Sequence, residues 1–200
     1  FNMSISGGMG QFGSSVIVGA GGCPSRDQLF FNSYSKHYTL VRDVTIDSWT
    51  PVDVDDNFIF DGAGYTITYN GTDKFQGLFK CVNNRTATIK NIKFVLNTDL
   101  DNSVGCIIGN CDGIEGVSVT IENCHTTGTG EIKTYGGGII GKGGGYKGHV
   151  TVRLCSNALS MTSVGSGGIV GMYFGRCSSG QKCIIEFCVN TGEIGNSYSG

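Results

Sequence analysis

The stretch Val119-Thr120-Ile121-Glu122-Asn123-Cys124 recurs as Val150-Thr151-Val152-Arg153-Leu154-Cys155, and this recurrence decides the fold. The same pattern occurs earlier as Ala87-Thr88-Ile89-Lys90-Asn91-Ile92 and later as Ile184-Ile185-Glu186-Phe187-Cys188. The last residues of these stretches are Ile92, Cys124, Cys155 and Cys188, and they follow one another at a nearly constant period of about 31–33 residues. A period of this length indicates a solenoid, in which each structural unit stacks on its own copies.

A second sequence feature follows the same period. Gly105-Cys106-Ile107-Ile108-Gly109 returns as Gly137-Gly138-Ile139-Ile140-Gly141 and as Gly167-Gly168-Ile169-Val170-Gly171. Each period therefore holds several short β-branched runs separated by Gly, Asn and Ser, and none has helical spacing. Short strands that stack on equivalent strands one period later predict a parallel β-helix.

The composition agrees with a β-rich fold that contains many turns. The 200 residues include 34 Gly and only 2 Pro, and 15% of them are charged. Glycine adopts positive φ without steric cost, so a high glycine content suits a chain with many tight turns. The net charge of −2 gives no electrostatic basis for nucleic-acid binding, and no apolar run approaches the length that spans a bilayer.

The alternation within the repeat predicts which side chains face the core. Ile92, Cys124, Cys155 and Cys188 should form one inward column, and Ile107, Ile139 and Ile169 a second. Lys90, Glu122, Arg153 and Glu186 should point to solvent. The predicted fold is an all-β, right-handed parallel β-helix with coils of about 30–33 residues.

The motifs of residues 24–200, in this order, resemble the β-helix repeat domains of surface and secreted proteins that carry the GLUG motif. The resemblance rests on Phe60-Asp61-Gly62-Ala63-Gly64, on Gly77-Leu78-Phe79, and on the later Ile-Glu-Asn-Cys, Asn190-Thr191-Gly192 and Gly-Gly-Ile-Val-Gly pieces. It implies a β-helix on an extracellular or surface-anchored protein, often with adhesive roles, and it implies no catalytic residues. The heavy cysteine content departs from the pattern of the family.

Two segments are expected along the chain. Residues 1–22 carry no charge and form a candidate strand arm, and residues 23–200 form the β-helix domain. Within that domain, Ser25 is a plausible N-cap of a short helix in a cap at 24–36, which would cover the N-terminal end of the solenoid.

The arm resembles the strand that the last coil lacks. Ser6-Gly7-Gly8-Met9-Gly10 aligns with Ser166-Gly167-Gly168-Ile169-Val170, and Val16-Ile17-Val18 then takes the place of Cys183-Ile184-Ile185. The sequence therefore predicts that the arm completes the last coil of a neighbouring molecule by strand addition, which would build a head-to-tail homopolymer. The expected interface residues are Ile5, Met9, Phe12, Val16, Ile17, Val18, Ile185, Phe187 and Ile194.

Two alternative arrangements of the chain ends stay open. The arm could form the first coil of its own solenoid or lie along its side, or the 200 residues could be part of a longer tandem array. Cys23 follows the arm directly, and the cysteine count of 9 is odd, so Cys23 could bond across a junction between molecules.

Cysteines and sequons indicate an extracellular or cell-surface location. Cys81 and Cys111 follow equivalent strands of successive coils and could reach disulfide range, and Cys106 with Cys111, or Cys177 with Cys183, are further candidates beside Cys23. Three sequons begin at Asn2, Asn70 and Asn84, so N-glycans are expected partners of the chain.

The sequence offers little catalytic chemistry, and we expect no enzyme, cofactor or metal site. The best acidic cluster is Asp53, Asp55 and Asp56, with Asp61 nearby, and acids before a strand commonly form turns. The main prediction is an extracellular structural filament. A surface adhesin or glycan-binding module is the first alternative, and a carbohydrate-active enzyme that uses the acidic cluster is the second.

Overall fold

The computed structural model describes residues 10–12, 15–18, 36–176 and 180–195, with backbone alone for 10–18. Within these ranges the chain is all β and contains no helix. The expected cap helix lies outside the described residues. The sixteen strands are β1 (Gly10–Phe12), β2 (Ser15–Val18), β3 (His37–Leu40), β4 (Val44–Ile46), β5 (Val52–Asp53), β6 (Phe58–Asp61), β7 (Thr66–Tyr69), β8 (Phe79–Lys80), β9 (Thr86–Leu96), β10 (Ser118–Gly128), β11 (Glu131–Ile132), β12 (His149–Arg153), β13 (Ser156–Asn157), β14 (Ser160–Met161), β15 (Cys183–Glu186) and β16 (Val189–Asn190).

The strands stack in parallel, which confirms the predicted β-solenoid. One long path runs β2-β3-β6-β9-β10-β12-β15, and each of its pairs is parallel. We call this path the first sheet. The second halves of β9 and β10 continue around a corner and pair with β7 and β13, while β4 pairs with β7 and β13 pairs with β16. These strands form the second sheet.

The third side of the solenoid is less regular than the repeat predicts. β5 pairs with β8, but the Gly-Gly-Ile-Ile-Gly segments form single-residue bridges between Ile108, Ile140 and Val170 instead of continuous strands. Glycine allows neighbouring coils to approach closely here, because a Cβ on Gly137 would lie 2.6 Å from the carbonyl carbon of Val170 in the next coil. The segment therefore stacks as predicted, but as bends between single-residue bridges.

The coils are shorter at the N-terminal end than the repeat predicts. The length of a coil is the separation in sequence between two paired residues. This separation is much smaller between Tyr38 and Phe60 than between Ile89 and Ile121 or between Val152 and Ile185. Large aromatic rings fill the core of the short coils. The ring of Phe79 packs on the rings of Phe58 and Phe60, with both centroid distances at 5.2 Å.

The predicted inward columns are confirmed. Ile92, Cys124 and Cys155 are buried in one column, and Ile107 and Ile139 are buried in the other. Cys188 and Ile169, the next members of these columns toward the C-terminal end, are only partly buried. Burial therefore decreases toward the last described coil.

The outward column of the first sheet carries charges that alternate in sign. The register places Asp61, Lys90, Glu122, Arg153 and Glu186 side by side on successive coils. Lys90 Nζ lies 3.4 Å from an oxygen of Asp61, and Arg153 contacts Glu122 at 3.8 Å. Because opposite charges attract across adjacent strands and a shift in register would separate them, the column favours the observed pairing.

The corner between the first and second sheets requires the left-handed backbone region. Asn91, Asn123, Leu154 and Phe187 occupy this corner on successive coils, with φ values of 58°, 52°, 54° and 53°. The amide of Asn123 donates to Asn91 Oδ1 at 2.8 Å, and the amide of Asn91 donates to Asp61 Oδ1 at 2.9 Å. Asparagine adopts this region readily, whereas leucine and phenylalanine adopt it at an energetic cost.

We therefore expect Leu154→Asn to stabilise the protein. The substitution places a residue that accepts positive φ beside Asn123 and extends the amide ladder, so the free energy of unfolding should rise by about 1 kcal/mol. Urea unfolding measures this change. Asn123→Leu makes the opposite change at the equivalent position one coil earlier, so it is the matched control and should destabilise the protein. A Leu154→Asn variant that unfolds at a lower urea concentration than the parent would contradict this account of the corner.

Candidate assembly surface

The last described coil leaves uncovered the positions that are buried one coil earlier. Ile185 pairs with Val152, yet Ile185 is 45% exposed and Val152 is 0% exposed. Likewise Ile194 is 55% exposed, whereas its bridge partner Met161 is fully buried. These inward side chains match the core of the solenoid but have no coil above them among the described residues. The last described coil therefore leaves core positions uncovered by any described residue.

Two outward positions of the last described coil, beside the charged Glu186, are also apolar. Ile184 follows Thr88, Thr120 and Thr151 in its column, and Val189 follows His125 and Ser156. Phe187, at the corner position, is 78% exposed. Isolated exposed apolar side chains are common, but a contiguous group on one coil marks a contact surface. We call Ile184, Ile185, Phe187, Val189 and Ile194 the C-terminal surface.

A buried polar ladder reaches the same surface. The Thr126 hydroxyl donates to Asn157 Oδ1 at 2.8 Å, and the Asn157 amide donates to Asn190 Oδ1 at 2.8 Å. Thr126 and Asn157 are buried, whereas Asn190 is half-buried, with its amide 3.2 Å from the carbonyl of Gly192. Since the ladder repeats once per coil, Asn190 offers a polar group with which a further strand can align.

At the other end of the solenoid, residues of the arm extend the first sheet. β2 pairs in parallel with β3, so that Val16 aligns with Tyr38 and Val18 with Leu40. β1 pairs antiparallel with the opposite edge of β2. The arm thus pairs within its own chain, as the own-coil alternative expects. Along the first sheet, β2 is the first of the parallel strands and β15 is the last described one.

The predicted interface residues are only partly placed by the structure. Ile185, Phe187 and Ile194 lie together on the C-terminal surface. The strands β1 and β2 contain Phe12, Val16, Ile17 and Val18, whose side chains the structure does not describe. Ile5 and Met9 lie outside the described residues. The sequence prediction omits Ile184 and Val189. A comparison of each outward column along the repeat would have found them, because the equivalent positions of the two preceding coils are threonine or other polar residues.

The acidic cluster is engaged in contacts between coils. Asp55 contacts Lys36 at 2.8 Å and Arg85 at 4.0 Å, and the Lys36 ammonium holds the pKa of Asp55 below its ordinary value. Asp56 accepts a hydrogen bond from the Thr86 hydroxyl at 2.9 Å. Asp53 is exposed and lines a cleft on the third side. These contacts fit the turn role that the sequence favours for Asp55 and Asp56.

Asp61, the acid nearest the corner between the first and second sheets, also has several hydrogen-bond partners. Asp61 Oδ1 accepts from the backbone N–H of Ala63 at 2.8 Å and from the Asn91 amide at 2.9 Å. Burial opposes ionisation of Asp61, but these hydrogen bonds and Lys90 outweigh it and lower its pKa. No group of three or more His, Cys, Asp or Glu side chains within the described ranges could hold a metal ion.

The half-buried Tyr135 and the exposed Tyr173 stack with nearby cations. The ammonium of Lys142 lies 5.7 Å from the ring centre of Tyr135 and 5.4 Å from that of Tyr173. The guanidinium of Arg176 lies 5.2 Å from the ring centre of Tyr173. Lys142 also contacts Asp112 at 2.6 Å. These interactions join neighbouring coils at the corner that leads from the third side to the first sheet.

The predicted cysteine candidates differ in their surroundings. Cys81 and Cys111 are buried with their Sγ atoms 2.7 Å apart, whereas Cys106 is buried among apolar residues. The thiol of Cys183 lies 3.8 Å from the carbonyl of Gly145. Cys23 and Cys177 lie outside the described residues. Of the predicted pairings that the structure describes, only Cys81 with Cys111 has its sulfur atoms in contact.

Two of the three sequon asparagines can be located. Asn70 and Asn84 are exposed on turns, as an N-glycan requires, and Asn2 lies outside the described residues. Asn70 accepts a hydrogen bond from Asn97 at 2.7 Å. No helix that is long and apolar enough to cross a membrane occurs in the described part of the chain.

Comparisons with known proteins add no relative to this description. No family model matches the chain, and neither the curated proteins nor the solved structures give a match. The resemblance to GLUG-motif domains therefore stays a prediction. The class that can be stated is the fold itself, a parallel β-solenoid.

Proposed function

We propose that this β-solenoid is an extracellular structural protein that polymerises end to end by strand complementation. The observation that carries the proposal is the exposure of Ile185 and Ile194, whose counterparts one coil earlier are fully buried. Burying apolar surface of this kind is the main driving force of association. A coil that keeps the core pattern but has no cover among the described residues favours a partner that continues the same stack.

The first strand of another copy is the proposed partner. Among the described strands, β15 is the last of the first sheet and pairs on one edge only, and β2 begins the same sheet with its inner edge on β3. If β15 of a neighbour replaces β1 on the outer edge of β2, the parallel sheet continues from one molecule to the next. The backbone of β2, which keeps Val16 in register with Tyr38 and Val18 with Leu40, would then lie over the exposed end of β15.

This arrangement retains the predicted role of the arm and its pairing within the chain. β2 would stay the first strand of its own solenoid and would also complete the last coil of the neighbour. The contact joins two different surfaces, so it repeats without closing unless the rotation happens to form a ring. β1, which pairs antiparallel with β2, would act as the cover of this edge in the monomer.

The extracellular location is supported by chemistry spread over the chain. The sequence holds 9 cysteines and three sequons, two of which lie on exposed turns. The coil contacts use stacked charges, amide ladders and aromatic packing, and none of them needs a cofactor. We therefore assign the protein a scaffold role, with N-glycans as covalent partners.

Ile185→Asp should abolish the assembly. A carboxylate at the centre of the C-terminal surface would be buried without a partner in the joint, so the association constant should fall by about 100-fold or more. Sedimentation velocity over a range of concentrations measures this effect. The parent should show species that grow with concentration, and Ile185→Asp should sediment as a monomer.

Tyr65→Asp is the control. Tyr65 is 38% exposed and directly precedes β7, which pairs with β4 and β9 and not with β2 or β15, so its substitution should leave the assembly intact. Thermal unfolding of both variants verifies that they fold. A parent that stays monomeric at every concentration, or a folded Ile185→Asp variant that assembles like the parent, would contradict the proposal.

A further inference from the structure

The strongest feature outside the assembly surface is a pair of thiols between neighbouring coils. Cys81 directly follows β8, and Cys111 lies three residues after Ile108, which bridges to Phe79 of β8. Their Sγ atoms are 2.7 Å apart, closer than two sulfur atoms that merely pack together. Both residues are 2% exposed. The contact therefore joins two successive coils inside the core.

We infer that Cys81 and Cys111 form a disulfide that ties these two coils together. Adjacent strands of a parallel stack are about 4.8 Å apart, which lies within the range of Cα separations that disulfides span. No other described thiol pair makes a sulfur–sulfur contact of this kind on the third side, where Cys106 lies among apolar residues. The inference does not depend on the proposed assembly.

The bond forms by thiol–disulfide exchange with an external disulfide, such as oxidised glutathione or the disulfide of an oxidoreductase. One thiolate attacks a sulfur of the external disulfide and releases one thiol. The second thiolate then attacks the mixed disulfide and releases the other thiol. The two cysteines lose two protons and two electrons, and the external disulfide is reduced to two thiols.

Burial determines when this exchange takes place. The contact with Cys81 and the burial of its own sulfur raise the pKa of Cys111, so little reactive thiolate exists in the folded coil. Oxidation should therefore precede the closure of the coil. Once the coil is formed, the same burial protects the bond, and reductants should cleave it only after the protein unfolds.

Peptide mapping tests the bond directly. The protein is secreted through an oxidising compartment, its free thiols are blocked with N-ethylmaleimide in denaturant, and it is digested with trypsin without reduction. Cys81 is then alone in the peptide 81–85, which also contains the sequon residue Asn84, so N-glycans are removed enzymatically before digestion. We expect this peptide to be linked to the peptide that carries Cys111, at a mass two hydrogens below the sum, with fragmentation that places the link at Cys111 and not at Cys106 or Cys124.

Thermal unfolding gives a second readout. The disulfide closes a loop of 30 residues, and its loss should lower the Tm by about 10 °C. The parent, reduced in denaturant and refolded, should show this decrease, and so should a Cys106→Ala variant, whereas Cys81→Ala/Cys111→Ala should be insensitive to reductant. Alkylated Cys81 and Cys111 in the secreted protein, or a link from Cys81 to another cysteine, would overturn the inference.

Discussion

Asn157→Asp is expected to destabilise the solenoid by about 3–5 kcal/mol at neutral pH. Asn157 is fully buried and uses its amide group completely. Its Oδ1 accepts from the Thr126 hydroxyl at 2.8 Å and from the N–H of Leu159 at 3.1 Å. Its Nδ2 donates to the carbonyl of Leu159 at 2.9 Å and to Asn190 Oδ1 at 2.8 Å. In the variant, an oxygen would replace Nδ2 and face two acceptors, the carbonyl of Leu159 and Oδ1 of Asn190.

The loss should depend on pH in a defined direction. Burial and the two neighbouring acceptors would raise the pKa of the new carboxyl above its value in the unfolded chain. The variant should therefore be least stable at high pH and recover as the pH falls toward the pKa of the unfolded chain, because the protonated acid donates one hydrogen bond. Urea unfolding at neutral and at mildly acidic pH, each compared with the parent, measures the recovery.

Asn123→Asp is the matched control for this prediction. Asn123 belongs to the other amide ladder, where it donates to Asn91 at 2.8 Å, but it is exposed. Water solvates a carboxylate there, so the cost should stay under about 1 kcal/mol. Equal losses for the two variants would show that the burial of Asn157 has no energetic consequence.

Gly138→Ala should cost about 3 kcal/mol, because the coil has no space for a methyl group. A Cβ at this position would contact the carbonyl oxygen of Gly168 and lie 2.6 Å from Cγ of Asn157. Both neighbours are fixed, one by the backbone and the other by the buried amide ladder. Gly138 lies outside the left-handed backbone region, so the cost arises from space alone.

The preceding coil shows how the same position accepts a side chain. Cys106 takes the place of Gly138 there, and the shorter Thr126 takes the place of Asn157. As a control, Gly113→Ala introduces a Cβ with no heavy atom within 4 Å but with φ at 77°, and it should cost only about 1 kcal/mol. Urea unfolding compares the two variants; a Gly138→Ala variant as stable as the parent would contradict the packing account.

The period and the inward columns could be predicted from the sequence, since both follow from the recurrence of whole hexapeptides. The columns of Ile92, Cys124 and Cys155 and of Ile107 and Ile139 are buried as expected. The short N-terminal coils could not be predicted. Their sequence does not resemble the later repeat, and the aromatic rings of Phe58, Phe60 and Phe79 fill a core that aliphatic side chains fill elsewhere.

The candidate site was predicted less completely. Ile185 and Ile194 were expected on the surface because the last coil lacks its next strand, but the buried ladder of Thr126, Asn157 and Asn190 was not expected. In a chain rich in Asn and Gly, an asparagine is first interpreted as a turn residue. Only the stacking of coils shows that Asn157 points inward and pairs with the equivalent residue one coil later.

Electron microscopy of the purified full chain, with helical analysis of any fibres, tests the central claim most directly. Seven parallel strands lie along the first sheet from β2 to β15. At about 4.8 Å per strand, end-to-end stacking should give fibres with an axial repeat of about 34 Å per molecule. A variant without residues 1–22 should form none. Single particles from the full chain, or fibres that persist without residues 1–22, would contradict assembly through the arm.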